Sequence, residues 1–169
     1  MKRAIVLFPK FSNIEAIQAV RERFDPLANY IAPHITLVFP FESTLSTVEL
    51  KAHLRHTLAG MKQFAVSLSG VTGDFRDGYL FLNVKQGNDN IIDLHDRLYS
   101  GALEPFLFRK VTYCPHITVG RVEEPSAFDL ALEELADFQE RFVAEIDKVY
   151  VENIDSGDRS SIELIFDLE

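Results

Sequence analysis

Apolar and polar positions along the chain alternate in short blocks, some with the period of a strand and some with that of a helix. Residues 4–8 form an apolar strand candidate. The next block has Ile14, Ile17, Arg21 and Phe24 at helical spacing with one polar interruption, and Ser12 and Glu15 stand at capping-box spacing. A helix follows near 47–61 with Leu50, Leu54, Leu58 and Met61 inward, then a strand alternating through Phe64, Val66 and Leu68. Residues 79–84 are rich in strand formers. They lead through a turn at 87–90 to a helix at about 89–102 with Ile91, Leu94, Leu98 and Ala102 along one face. A last helix is expected at about 127–138, with Ser126 and Asp129 at capping spacing and Phe128, Ala131, Leu135 and Phe138 facing the core. A strand region follows at 142–151. After a turn at 154–157, Ile162, Leu164, Phe166 and Leu168 alternate as a half-buried strand should.

These blocks are arranged twice. Pro33-His34-Ile35-Thr36 recurs as Pro115-His116-Ile117-Thr118, 82 residues later. Each copy is preceded by a strand and a helix and followed by a helix and a strand. The spacing from Phe8 to His34 is 26 residues and from Val84 to His116 is 32, a difference that a longer loop absorbs. This pattern predicts an α+β fold built as a bilobal, pseudo-symmetric duplication. Two mostly antiparallel sheets line a central cleft, helices pack outside, and residues 1–169 form a single domain of two similar lobes.

Composition narrows the class. With 47% hydrophobic and 25% charged residues the chain has the make-up of a globular protein and not of a disordered one. No apolar stretch reaches the roughly 18–20 residues of a membrane span, and the N-terminus lacks the long apolar region of a signal peptide. The expected location is the cytoplasm. Cys114 is the one cysteine, so neither an internal disulfide nor a Cys-x-x-Cys zinc site is available. The net charge is −9, unevenly spread: residues 122–169 carry 3 Lys/Arg against 15 Asp/Glu. No basic stripe for long duplex nucleic acid is visible. Glycine loops that cradle ATP or NAD phosphates are absent too.

The repeat itself carries the chemistry. On a strand His34 and Thr36 point to one face and Ile35 and Leu37 to the other, and the same holds for His116, Thr118, Ile117 and Val119. Two strands apolar on one side and His plus Thr on the other suit a polar cleft. Histidine titrates near pH 6.5, so of two facing imidazoles one can act as base while the other acts as acid. Each threonine hydroxyl can donate to a non-bridging phosphate oxygen. The expected catalytic pair is His34 and His116, with Thr36 and Thr118 as phosphate ligands and no metal or cofactor.

The motifs His34-Ile35-Thr36-Leu37 and His116-Ile117-Thr118-Val119 resemble those of the two-histidine (2H) phosphoesterase superfamily. The strings Ile5-Val6-Leu7-Phe8-Pro9, Val38-Phe39-Pro40-Phe41 and Leu94-His95-Asp96-Arg97-Leu98 are similar to its bacterial 2′-5′ RNA ligase-like branch. The resemblance implies metal-independent cleavage of a cyclic, 2′,3′-type, or 2′-5′ phosphodiester in a small nucleotide or short RNA end. A non-catalytic module that binds a nucleotide or RNA end in the same cleft is the alternative. Other candidates read as structural: His53 and His56 as solvated helix residues, His95 as a helix residue flanking the core, and Cys114 as a small, partly buried side chain. Tyr113 is placed equally well against a base or in the core. Strict alternation puts Arg121 on the face opposite His116, so both stay outside the expected site.

Overall fold

The computed structural model describes residues 1–157 and 159–169. Among the described residues eight strands follow in the order β1 (Lys2–Leu7), β2 (Ile35–Glu42), β3 (Phe64–Asp74), β4 (Tyr79–Gln86), β5 (His116–Arg121), β6 (Phe142–Ile146), β7 (Lys148–Ile154) and β8 (Ser160–Asp167). Four helices lie between them: α1 (Ile14–Phe24), α2 (Thr47–Thr57), α3 (Asn88–Leu98) and α4 (Pro125–Leu135), with a 3₁₀ turn at Gly101–Phe106.

The two expected sheets are one. All eight strands pair antiparallel in the order β6-β3-β4-β5-β2-β1-β7-β8. Its middle is a narrow seam, in which β2 and β5 share the single pairing Ile35↔Ile117. On either side of the seam the order mirrors the sequence repeat, with β1-α1-β2 matching β4-α3-β5. The outer strands are exchanged, since β3 follows the first motif but pairs with β4, and β7 follows the second but pairs with β1. The expected strand region at 142–151 is therefore two strands, β6 at one edge and β7 next to the other edge, with only Asp147 between them. So short a link requires the sheet to curl until its two edges approach. Backbone bonds from Gln63 to Glu169 and from Glu169 to Met61 join the segment that leads into β3 to the end of the chain after β8.

The helices cross the seam. α1, from the first repeat, packs on β5, and α3, from the second, packs on β2. Of the expected α1 face Ile17 and Arg21 are buried, joined by Val20, while Ile14 and Phe24 are half-buried; Ile91, Leu94 and Leu98 in α3 are buried as expected, as are Ile35, Leu37, Ile117 and Val119 on the strands. Helix starts differ from expectation. α1 begins after Asn13 with no side-chain cap, and α4 is capped by Glu124, which accepts from Ser126 and Ala127 amides. α2 has a full capping box between Ser46 and Glu49.

Both motif strands carry a bulge at the same place. Val6 faces Thr36 but Ile5 faces Val38, leaving Leu37 as the extra residue; Phe81 faces Thr118 but Leu80 faces Gly120, leaving Val119 extra. A bulge bends its strand and resets which side chains share a face.

Candidate active site

The seam pairing decides the geometry. With Ile35 opposite Ile117 in an antiparallel register, His34 lies across from Thr118 and Thr36 across from His116. All four side chains are partly buried, in contrast to the fully buried isoleucines on the opposite face.

Each imidazole is anchored in the same way. His34 Nδ1 lies 2.9 Å from the Ala32 carbonyl oxygen, and His116 Nδ1 lies 2.7 Å from that of Cys114. A carbonyl only accepts, so Nδ1 carries the hydrogen in both rings and the neutral form leaves the Nε2 lone pair free. Among the described residues neither Nε2 nor either threonine hydroxyl is engaged by another protein group. Two ring nitrogens and two hydroxyls are thus unspent at the seam.

Electrostatics tie the two rings together. Burial pushes His34 below its ordinary value of 6.5; the bond to Ala32 opposes this, Arg21 pushes further down, Asp25 pulls up, and the charge of His116 adds a downward push. Burial likewise lowers His116, against the bond to Cys114. Two cations side by side are disfavoured, so the pair prefers at most one proton beyond the neutral state.

The surroundings of the two histidines differ. Beside His34 lies Phe8, with ring centroids 6.0 Å apart, and Phe8 meets Tyr150 edge-on at 5.2 Å. These rings border an open hollow of about 510 Å³ whose wall also includes Ala32, Pro33, Ile162 and Lys10. Beside His116 lies Asn83, held by a bond from its amide to the Gly70 carbonyl and one from Thr72. Phe81 packs against the His116 ring at 4.0 Å.

Of the residues left outside the expected site, Arg121 needs revision. The bulge at Val119 breaks strict alternation and brings Arg121 to the face of Thr118, where its guanidinium lies 5.2 Å from the centre of the Tyr79 ring. Tyr113 packs in the core and donates its hydroxyl to the Thr36 carbonyl. His95 is buried, as a structural residue should be, and bonds the Leu37 carbonyl. Phe8, just past the end of β1, had a signal only as part of the Ile5–Pro9 string, and Asn83 had none beyond its place in β4. His53 bonds the Leu98 carbonyl at the end of α3, His56 is exposed, and Cys114 is exposed instead of partly buried. Among the described residues no group of three or more His, Cys, Asp or Glu is placed to hold a metal, and no helix is long and apolar enough to cross a membrane.

Residues 9–158 match the family model of the 2′-5′ RNA ligase superfamily. A Geobacillus thermodenitrificans protein whose name is that of a phosphoesterase is 32% identical over 125 residues, which is 72% of this chain and 69% of that protein. A Bacillus pumilus protein of the same name is 31% identical over 129 residues, covering 72% and 70%. Among solved structures, E. coli LigT in apo form superposes with a TM-score of 0.64 at 19% identity, covering 99% of this chain and 96% of that one. LigT complexed with 3′-AMP gives 0.63 at 19% identity, covering 99% and 97%. These likenesses show a shared fold. With the family match and the named relatives, they establish that the chain belongs to the 2′-5′ RNA ligase superfamily of 2H phosphoesterases.

Proposed function

We propose that this protein is a metal-independent phosphodiesterase that opens a 2′,3′-cyclic phosphate, or cleaves a 2′-5′ linkage, in a small nucleotide or RNA end. His34 and His116 act as its acid–base pair, and Thr36 and Thr118 hold the phosphate. The observation that carries this reading is the paired presentation of two unengaged Nε2 atoms from adjacent strands, each fixed by an Nδ1–carbonyl bond.

The proton balance closes without a metal. Water adds to phosphorus while one neutral Nε2 takes its proton. The second imidazole enters protonated and delivers its Nε2 proton to the departing 3′ oxygen as that P–O bond breaks. A 2′-phosphate remains and the two rings have exchanged protonation states. The threonine hydroxyls donate to the non-bridging oxygens, where charge concentrates in the transition state. Acid–base assistance of this kind contributes about 10²–10⁴ in rate. The hollow lined by Phe8, Tyr150 and Pro33, with Phe8 beside His34, offers a planar base an apolar surface. LigT has been crystallised with 3′-AMP, NADP⁺ and ATP, ligands of the same chemical class.

The test is a panel of 2′,3′-cyclic nucleotides, ADP-ribose cyclic phosphate and 2′-5′-linked dinucleotides, with products resolved as 2′- or 3′-phosphates. Turnover insensitive to EDTA and abolished by His34→Ala or His116→Ala is expected. Tight binding of cyclic nucleotides with no product after long incubation would replace the enzyme by a binding module.

A further inference from the structure

Beyond the Ile35↔Ile117 pairing β2 and β5 part, which frees one edge of β2 just where Thr36 sits. Backbone groups on an unpaired strand edge inside a protein need other partners. Three side chains supply them. The Tyr113 hydroxyl donates to the Thr36 carbonyl at 2.8 Å, His95 Nδ1 lies 2.8 Å from the Leu37 carbonyl, and the Phe39 amide donates to the Tyr99 hydroxyl at 2.9 Å.

The three are locked to one another. His95 and Tyr113 stack with centroids 3.7 Å apart and planes 4° apart, and Tyr99, the residue after α3, meets His95 edge-on at 4.8 Å. Burial keeps each in the form its role requires. It raises the Tyr113 and Tyr99 hydroxyls above their ordinary value and lowers His95, whose contact with the Leu37 carbonyl places a hydrogen on Nδ1. All three come from the second repeat, while the strand they grip belongs to the first. Tyr113 stands three residues before His116, and the carbonyl between them, that of Cys114, anchors His116 Nδ1.

We infer that His95, Tyr99 and Tyr113 are positioning residues: a strut that replaces strand pairing along β2 and fixes the Thr36 hydroxyl against His116 across the seam. None touches the reacting phosphate. The inference deepens the reading above and rests on it for its kinetic readout. Misplacing a reacting or binding group by about 1 Å can cost on the order of 10²-fold in rate, so a strut that sets Thr36 belongs to the catalytic geometry although it is remote from phosphorus.

The experiment is a double-mutant cycle on 2′,3′-cyclic AMP. Tyr113→Phe keeps the stack and removes one donor; it is expected to lower kcat about tenfold with a smaller change in KM. In a Thr36→Ala background the same change is expected to cost less than twofold, because Tyr113 acts through Thr36. Equal losses in both backgrounds would overturn the strut and leave Tyr113 a general stabiliser. His95→Asn, which keeps an N–H near the Nδ1 position, should retain most of the activity that His95→Leu loses. If the wild-type protein turns over no phosphodiester, the functional reading fails on its own, and amide exchange then judges the strut. Phe39 N–H should exchange at least tenfold faster in Tyr99→Phe than in wild type, and unchanged exchange would overturn the strut.

Discussion

The two halves repeat a backbone but not its upholstery. In the first half Phe8 stands beside the histidine at 6.0 Å and an aliphatic, Val6, faces the threonine; in the second an amide, Asn83, faces the histidine, and Phe81, opposite the threonine, packs on the histidine ring at 4.0 Å. The strand edges differ as well. β2 is held by hydrogen bonds from α3 and Tyr113, whereas β5 is approached so closely by α1 that a Cβ at Gly120 would lie 2.7 Å from Phe24 Cβ and 2.9 Å from Leu80 Cδ1. Duplication thus supplies two equivalent imidazoles, and the side chains that differ can give a symmetric frame a direction. An asymmetric substrate, with a base on one side of its phosphate and a leaving oxygen on the other, requires such a direction.

Changes that act on one half at a time sharpen this comparison. After the histidines themselves, the largest effects are expected at the threonines. Thr36→Val and Thr118→Val each remove a phosphate donor and should lower kcat by about 10²-fold, the scale of losing one oxyanion donor; unequal losses, read by steady-state kinetics, would identify the half that bears more transition-state charge. Next comes Gly120→Ala, which forces α1 away from β5 and should destabilise the fold by about 1–3 kcal/mol in urea unfolding. Phe8→Ala should raise KM for nucleotide substrates about tenfold with kcat nearly unchanged, as expected for loss of a stacking surface. A similar loss in Asn83→Ala would place the base on the other side.

The smallest effects are those of pH. Both site histidines are lowered from 6.5 in the free protein, so kcat/KM should follow a bell with its maximum below pH 6.5, and a bound phosphate anion should move the kcat profile upward. The same sign governs stability. Below pH 6.5 the unfolded chain binds protons at His34, His95 and His116 that the folded chain resists. Stability therefore declines as pH falls from 7 toward 5.5, and chemical unfolding at several pH values measures it.

Much of this was legible in the chain. The duplicated Pro-His-Ile-Thr, with isoleucine and threonine fixing opposite faces, marked the motif strands, and the helical faces of Ile17, Leu50, Leu94 and Phe128 are the buried ones. What the sequence hid was set by longer-range pairing. Alternation counts residues, and a bulge adds one without altering composition, so Arg121 was assigned to the wrong face. Ser12 and Ser126 have capping spacing, yet the chain enters α1 and α4 by Asn13 and Glu124. Nothing local shows that β6 and β7 lie toward opposite edges of one curled sheet, or that Tyr113 reaches a carbonyl 77 residues away.

The central claim is that one imidazole from each repeat serves a single phosphorus atom, and the most direct measurement is turnover of a 2′,3′-cyclic nucleotide by His34→Ala, His116→Ala and the double variant. Groups acting as a unit are not additive. Each single variant should lose at least about 10²-fold in kcat, and the double variant should be scarcely slower than the slower single. Wild-type turnover in either single variant, or losses that multiply in the double, would contradict the account.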